Sequence, residues 1–148
     1  MVNKFLPFLM RELNCSICSL SHRIILQKKV YLLKKFGFDI GYDFQWYHYG
    51  PYSVSLNLDS FNIDKTDPVF VSLDENQKSA LESLRFFLGP NSDSLRFLET
   101  AASLLFLKDK NPFCSNQELK LELLNLKKHL NFSDVDNVII KLENSKIL

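Results

Sequence analysis

The sequence predicts a mainly α-helical single domain, residues 1–148, with a short β element around the Tyr49-Gly50-Pro51-Tyr52 turn and a helix-turn-helix-like pair at the C-terminal end. Three observations carry that reading. Apolar residues recur at helical spacing through most of the chain, and capping signals led by serine precede several of those runs. The one stretch that breaks the rhythm, Phe38 to His48, is rich in β-formers and closes on Gly50-Pro51. At 148 residues the chain is long enough to bury one core and too short to expect two.

A first helix is expected from about Asn3 to Asn14, with Leu6, Leu9, Met10 and Leu13 at helical spacing and Pro7 in its first turn. Ser21 is the expected N-cap of a second helix, His22 to Phe36, which Gly37 ends. On a helical wheel Ile25, Leu26, Val30, Leu32, Leu33 and Phe36 share one broad arc, with Gln27, Lys28, Lys34 and Lys35 elsewhere. Lys29 projects from within the apolar arc, where a charge must be paired, snorkel outward or serve a function. Pro51 is expected to open a third helix carrying Tyr52, Leu56, Leu58 and Phe61. A polar loop from Asp64 to Pro68 and a short strand from Val69 to Ser72 follow.

Ser72-Leu-Asp-Glu75 has capping-box spacing and opens a helix that Gly89-Pro90 stops. The next helix starts near Ser92 or Asp93; its LETAASLLFL run, with small Ala101, Ala102 and Ser103, marks the centre of the core. Ser115-Asn-Gln-Glu118 is a second capping box, followed by a stripe of Leu119, Leu123, Leu126 and Leu130. Ser133 is the expected cap of a last helix that puts Val135, Val138, Ile139 and Leu142 on one face.

Charge and composition exclude several classes. Eighteen basic against 17 acidic side chains leave no global field to pull the protein onto nucleic acid or lipid, although basic residues gather between Arg11 and Lys35. The apolar run from Phe97 to Leu107 contains Glu99 and is closed by Lys108, well short of the ~20 residues that span a bilayer. The opening MVNKFLPFLMREL lacks the pattern of a signal peptide. Three cysteines, an odd number, fit a reducing compartment, so the expected location is cytoplasmic with no membrane partner.

The stretch LQKKVYLLKKFGFDIGYDFQWYHYGPYSVSLNLD resembles the YwgA-like proteins, whose pattern runs Leu-Gln-Lys, an apolar helix, an aromatic stretch, then Tyr-Gly-Pro-Tyr-Ser and a spaced Asp. The match falls on Leu26, Gln27, Lys28, Tyr49, Gly50, Pro51, Tyr52, Ser53 and Asp59, and the later helices extend it over nearly the whole chain. More distantly, the combination is similar to Panacea-type antitoxins and to the C-terminal toxin-binding domain of DarG-type antitoxins, largely helical protein-binding modules. The chain departs from the pattern at Lys29, where an apolar residue is usual. The resemblance implies a protein-interaction or antitoxin-like regulator in a defence or toxin–antitoxin setting, with a protein partner and no catalytic role.

Trp46, Tyr47, Tyr49 and Tyr52 supply large rigid rings with polar handles, suited equally to a recognition surface and to a core beneath the turn. Gln27 and Lys28 could touch a ligand or the backbone of the turn, surface solvation being the alternative for Lys28. A nucleic-acid-binding, winged-helix-like regulator would instead use Arg23, Lys28, Lys34 and Lys35. Its would-be recognition helix begins Ser133-Asp-Val-Asp136, whose acids would repel phosphates. Cys15, Cys18 and His22 have the spacing of zinc ligands, with Cys114 as a fourth only if the fold brings it near; a lone CxxC is a weak signal, and no metal or other cofactor is expected. Glycine is scarce, no phosphate-cradling loop occurs, and His48 has no nucleophile or carboxylate motif beside it.

Overall fold

Residues 3–64 and 70–148 are described by the computed structural model. In order they form α1 (Phe5–Glu12), α2 (Leu20–Lys35), β1 (Gln45–Tyr47), β2 (Gly50–Tyr52), α3 (Val54–Phe61), α4 (Glu75–Leu88), a 3₁₀ turn (Gly89–Asn91), α5 (Leu95–Lys110), α6 (Asn116–Leu126) and α7 (Phe132–Asn144). The mainly helical class with a small antiparallel β element is therefore as the sequence predicts. Among the described residues no helix is long and apolar enough to cross a membrane.

Helix starts follow local chemistry, but neighbouring caps compete. Ser115 and Glu118 form the expected reciprocal box at α6. Elsewhere a nearby residue with an extended backbone takes the role. Ser19 caps α2 in place of Ser21, Asp74 with Gln77 boxes α4 in place of Ser72 with Glu75, Ser94 caps α5 in place of Ser92 or Asp93, and Asn131 caps α7 in place of Ser133. At the other end of α2, Gly37 adopts φ 113°, and Gly37 and Phe38 donate to Lys34 and Leu33, satisfying two carbonyls that the helix leaves free.

The stretch after Gly50 departs from expectation. Pro51 and Tyr52 belong to β2, and α3 opens only at Val54, with the Ser53 hydroxyl accepting the Leu56 N–H. Only Gln45–Tyr47 of the expected extended segment is strand. The expected loop and strand between Asp64 and Ser72 fall largely on residues 65–69, outside the described residues; residues 70–72 are not strand.

Helices α2 and α5 lie at the centre. They pack on one another, α2 also on α3, α4 and β2, and α5 on α6, α7 and β2. Ala101, Ala102 and Ser103 are fully buried, and Ser103 lies directly against Gly50 of β2. One contiguous apolar cluster draws residues from all seven α-helices. The expected leucine stripe of α6 is shorter than its spacing suggests: Leu119 and Leu123 are buried, Leu126 is exposed, and Leu130 is buried beyond the helix end.

Enclosure of α2 overturns the expected division into an apolar arc and a solvated face. Every residue from Ile24 to Leu33 is buried, including Gln27, Lys28 and Lys29. A polar group taken from water without a partner costs about 1–3 kcal/mol, so burial obliges these three to find acceptors. Each finds a backbone carbonyl outside α2, Gln27 and Lys28 after the hairpin turn and Lys29 at the end of α1. Lys29 donates to Leu13 O at 2.8 Å, at the C-terminal end of α1, and lies 3.5 Å from the exposed Asp93 carboxylate. Position next to the negative end of a helix dipole favours a cation there.

Candidate functional site

The residues of the Leu-Gln-Lys and Tyr-Gly-Pro-Tyr-Ser stretches meet where α2 runs behind the hairpin. Strand β1 pairs antiparallel with β2 in the register Gln45↔Tyr52, Trp46↔Pro51, Tyr47↔Gly50, with His48 and Tyr49 in the turn. Proline has no N–H, so Trp46↔Pro51 is not a pair that exchanges hydrogen bonds. The bonded pairs are the two on either side, and the carbonyl of Pro51 turns away from β1.

That outward edge of β2 is closed by side chains of α2. Lys28 Nζ donates to Pro51 O at 2.7 Å. The Gln27 amide then bonds Ser53 twice, Nε2 donating to Ser53 O and Oε1 accepting the Ser53 N–H, each at 2.8 Å. Gln27 thus imitates the peptide group of a third strand, and Lys28 supplies the single donor that a proline position requires. Gln27, Lys28, Gly50, Pro51 and Ser53 are all buried. Their role is to seat the hairpin, and surface solvation of Lys28 is excluded.

Gly50 is dictated by crowding as well as by conformation. Its φ is 93°, and a Cβ there would lie 2.5 Å from Ser103 Oγ and 3.9 Å from Lys28 Nζ. Ser103 is fully buried, and its hydroxyl has no hydrogen-bond partner among the described residues. Burial pushes the Lys28 ammonium down from 10.5 to about 7; the charge of Glu99 opposes that shift and the charge of Lys127 adds to it.

Glu99 and Lys127 extend this buried polar layer. Lys127 donates to the His48 carbonyl at the hairpin tip and sits 5.0 Å from the centre of the Trp46 ring. Glu99 Oε2 lies 3.0 Å from Lys127 Nζ as an ion pair, not as a directed hydrogen bond, and Oε1 lies 2.9 Å from His129 Nε2. Neither Lys127 nor Ser103 is visible as a partner of the hairpin from sequence. Glu99 inside an apolar run is the one signal of this layer that the sequence offers.

The rings divide as strand alternation requires. Trp46 is half-buried, with its ring 5.7 Å from that of Phe106, whereas Tyr47 and Tyr49 are 46% and 48% exposed. Tyr47 and Tyr52 meet edge to face at 5.3 Å. Just beyond them Val54, Leu58 and Phe61, spaced along one face of α3, are each more than half exposed. Arg23 stacks 5.6 Å from the Phe61 ring centre. Asp59 accepts the Tyr42 hydroxyl at 2.6 Å, tying α3 to the segment before β1; burial first, and then Asp59 itself, raise the Tyr42 phenol above its ordinary range.

The members of the nucleic-acid set are all engaged within the fold. Lys28 is buried, Lys35 pairs with Asp109, Lys34 donates to Tyr42 O, and Arg23 donates to Ile17 O. Nor do the cysteines converge with His22. Cys15 Sγ faces Leu13 O, His22 Nδ1 is within 2.8 Å of the capping Ser19 hydroxyl, Cys18 is exposed, and among the described residues no group of three potential metal ligands gathers. A hollow of about 580 Å³ lined by Glu82, Phe86, Phe87 and Lys141 contains none of the residues singled out by sequence. No protein-family model, no curated protein and no solved structure matches the chain.

Proposed function

We propose that this chain is a non-catalytic protein-binding module, an antitoxin-like regulator of the kind its resemblance to YwgA-like proteins implies, which grips its partner with the outer face of the hairpin and α3. One observation carries the reading. Gln27, Lys28 and Ser53 of the shared stretch are consumed inside the fold, while Tyr47 and Tyr49 of the hairpin and Val54, Leu58 and Phe61 of α3 are left on the outside, each 46% exposed or more. Tyrosines and Arg23 are the residue types enriched in interaction hot spots, and Val54, Leu58 and Phe61 supply apolar surface around them. Catalysis has little support, since the buried Lys28 and Ser103 lie behind the hairpin.

Affinity capture from the native host, with and without nuclease, tests the proposal. The expected result is a nuclease-resistant partner whose capture is lost on Tyr49→Ala or Leu58→Ser, in protein whose melting curve is unchanged. Truncating one such anchor should cost about 2 kcal/mol of binding. Salt-steep DNA binding abolished by changing Lys34 and Lys35 would instead make the protein a nucleic-acid regulator.

A further inference from the structure

The hairpin, residues 45–52, is pinned at both bases and tied between them. Before β1 the Tyr42 hydroxyl donates to Asp59 of α3, and after β2 Gln27 clamps Ser53. Between those points, among the described residues, two side chains bond the hairpin from outside it: Lys28 at Pro51 O and Lys127 at His48 O. Both are buried amines.

Both ties draw on one carboxylate. Glu99 of α5 lies 3.0 Å from Lys127 Nζ, and its charge also acts on Lys28. Toward Lys28, α5 presents Glu99 and, across Gly50, the Ser103 hydroxyl; the hairpin presents Pro51 O, and the segment after α6 adds the charge of Lys127. On the far side of Glu99 stands the exposed His129, with Nε2 2.9 Å from Oε1. Two buried amines therefore share one buried carboxylate that an imidazole also engages. An ammonium carries three N–H donors, and Lys28 has one acceptor among the described residues, so its protonated form is left with unpaired donors and uncompensated charge. The neutral amine keeps the bond to Pro51 O without that penalty. Burial, reinforced by Lys127 against the pull of Glu99, accordingly brings the ammonium down to about 7.

We propose that the hairpin is a proton-controlled flap, closed on α2 and α5 while Lys28 is a neutral amine and released when Lys28 takes up a proton and turns to water. Opening returns Lys28 to its ordinary value of 10.5, so between 7 and 10.5 the open form binds more protons and gains population as pH falls. Below 7 both forms are protonated and the dependence levels off. Tyr47 and Tyr49 ride on the flap, so opening disperses the face proposed for the partner. That consequence rests on the protein-binding reading above; the flap itself does not.

Amide hydrogen exchange of the full chain, read by NMR as protection relative to the intrinsic rate at each pH, tests the flap without any partner. His129→Gln throughout takes the imidazole beside Glu99 out of the titration. The expected result is that amides of the bonded pairs Gln45↔Tyr52 and Tyr47↔Gly50 are less protected than those of α5 and α7, and that their opening falls by up to tenfold per pH unit from pH 7 to 9 and is level below 7. Lys28→Met should make that opening flat across the window. Lys127→Met leaves Glu99 to Lys28 alone and should move the levelling point to higher pH, whereas Glu99→Gln should move it lower; a merely structural loss would raise opening equally at every pH. If Lys28→Met does not fold, these two shifts carry the assignment. Hairpin protection equal to that of α7, opening indifferent to pH, a dependence that survives Lys28→Met, or a levelling point unmoved by the other two variants would overturn the inference. Each of those outcomes leaves the binding-module reading intact, since capture of a partner is measured separately.

Discussion

The side-chain amide of Gln27 and the backbone of Ser53 exchange two hydrogen bonds of 2.8 Å across 26 positions of sequence. The pair joins the centre of α2 to the residue that both ends the hairpin and caps α3. Gln27→Ala should therefore leave a buried N–H and a buried carbonyl unpaired, at about 1–3 kcal/mol for each group. Gln27→Glu keeps the acceptor for the Ser53 N–H, loses the donor to Ser53 O and adds a buried charge, so it should cost at least as much. Urea denaturation at unchanged slope checks both, and a loss under about 0.5 kcal/mol for Gln27→Ala would mean that the clamp is idle.

Lys28 gives stability a pH dependence whose sign is fixed. Its folded value of about 7 lies below the ordinary 10.5, so between these values the unfolded chain binds more protons than the folded one. Stability attributable to this group is greatest above 10.5 and is lost as pH falls toward 7. Cys15, pushed by burial from 9.0 up to about 11, acts in the opposite direction above pH 9. The clean window is thus pH 7 to 9, where wild type should gain up to about 1.4 kcal/mol per pH unit relative to Lys28→Met. Parallel stability curves for the two proteins would show that Lys28 keeps an ordinary ammonium.

Gly50 and Ser103 make a steric pair that a double-mutant cycle can read. Gly50→Ala adds a Cβ 2.5 Å from Ser103 Oγ at a φ of 93° and should cost more than the ~1 to 3 kcal/mol of backbone strain alone. Ser103→Ala removes a buried hydroxyl without a partner and should be neutral or stabilising. Combined, the two should recover the clash and leave only the strain. Strict additivity in thermal melts would show that the two atoms do not meet.

Lys29 packs its whole stem inside the protein, so truncation and charge removal should separate. Lys29→Ala should cost about 2–5 kcal/mol through the cavity it opens, whereas Lys29→Met keeps the stem and should lose only the bond to Leu13 O, about 1–3 kcal/mol. Asp93→Ala should cost less than about 1 kcal/mol, because that carboxylate is 73% exposed and screened. If Lys29→Met proved more stable than wild type, the ammonium would be a burden on the fold and not its tie to α1.

Local signals determined the helices of this protein. The Ser115–Glu118 box, the Gly37 stop and the apolar spacing of α7 act within four or five residues, so a sequence window contains all the physics they need. Competition between caps a few residues apart shifted several starts without changing which helices formed. Tertiary structure decided the rest. Whether Pro51 opens a helix or lies in a strand depended on a carbonyl acceptor for Lys28 and an edge to pair with, neither of which a Gly-Pro dipeptide specifies. The same holds for Gln27 and Lys28, which read as polar positions off the apolar arc until the hairpin and α5 enclose α2, and for the acceptor of Lys29, whose place in the arc marks a charge needing a partner without naming Leu13 O. Burial is set by what packs on a residue from far along the chain, and polar side chains are tolerated there only when distant backbone groups complete their hydrogen bonds. Spacing shows which residues of a helix share a face, but only the assembled fold determines whether that face meets water.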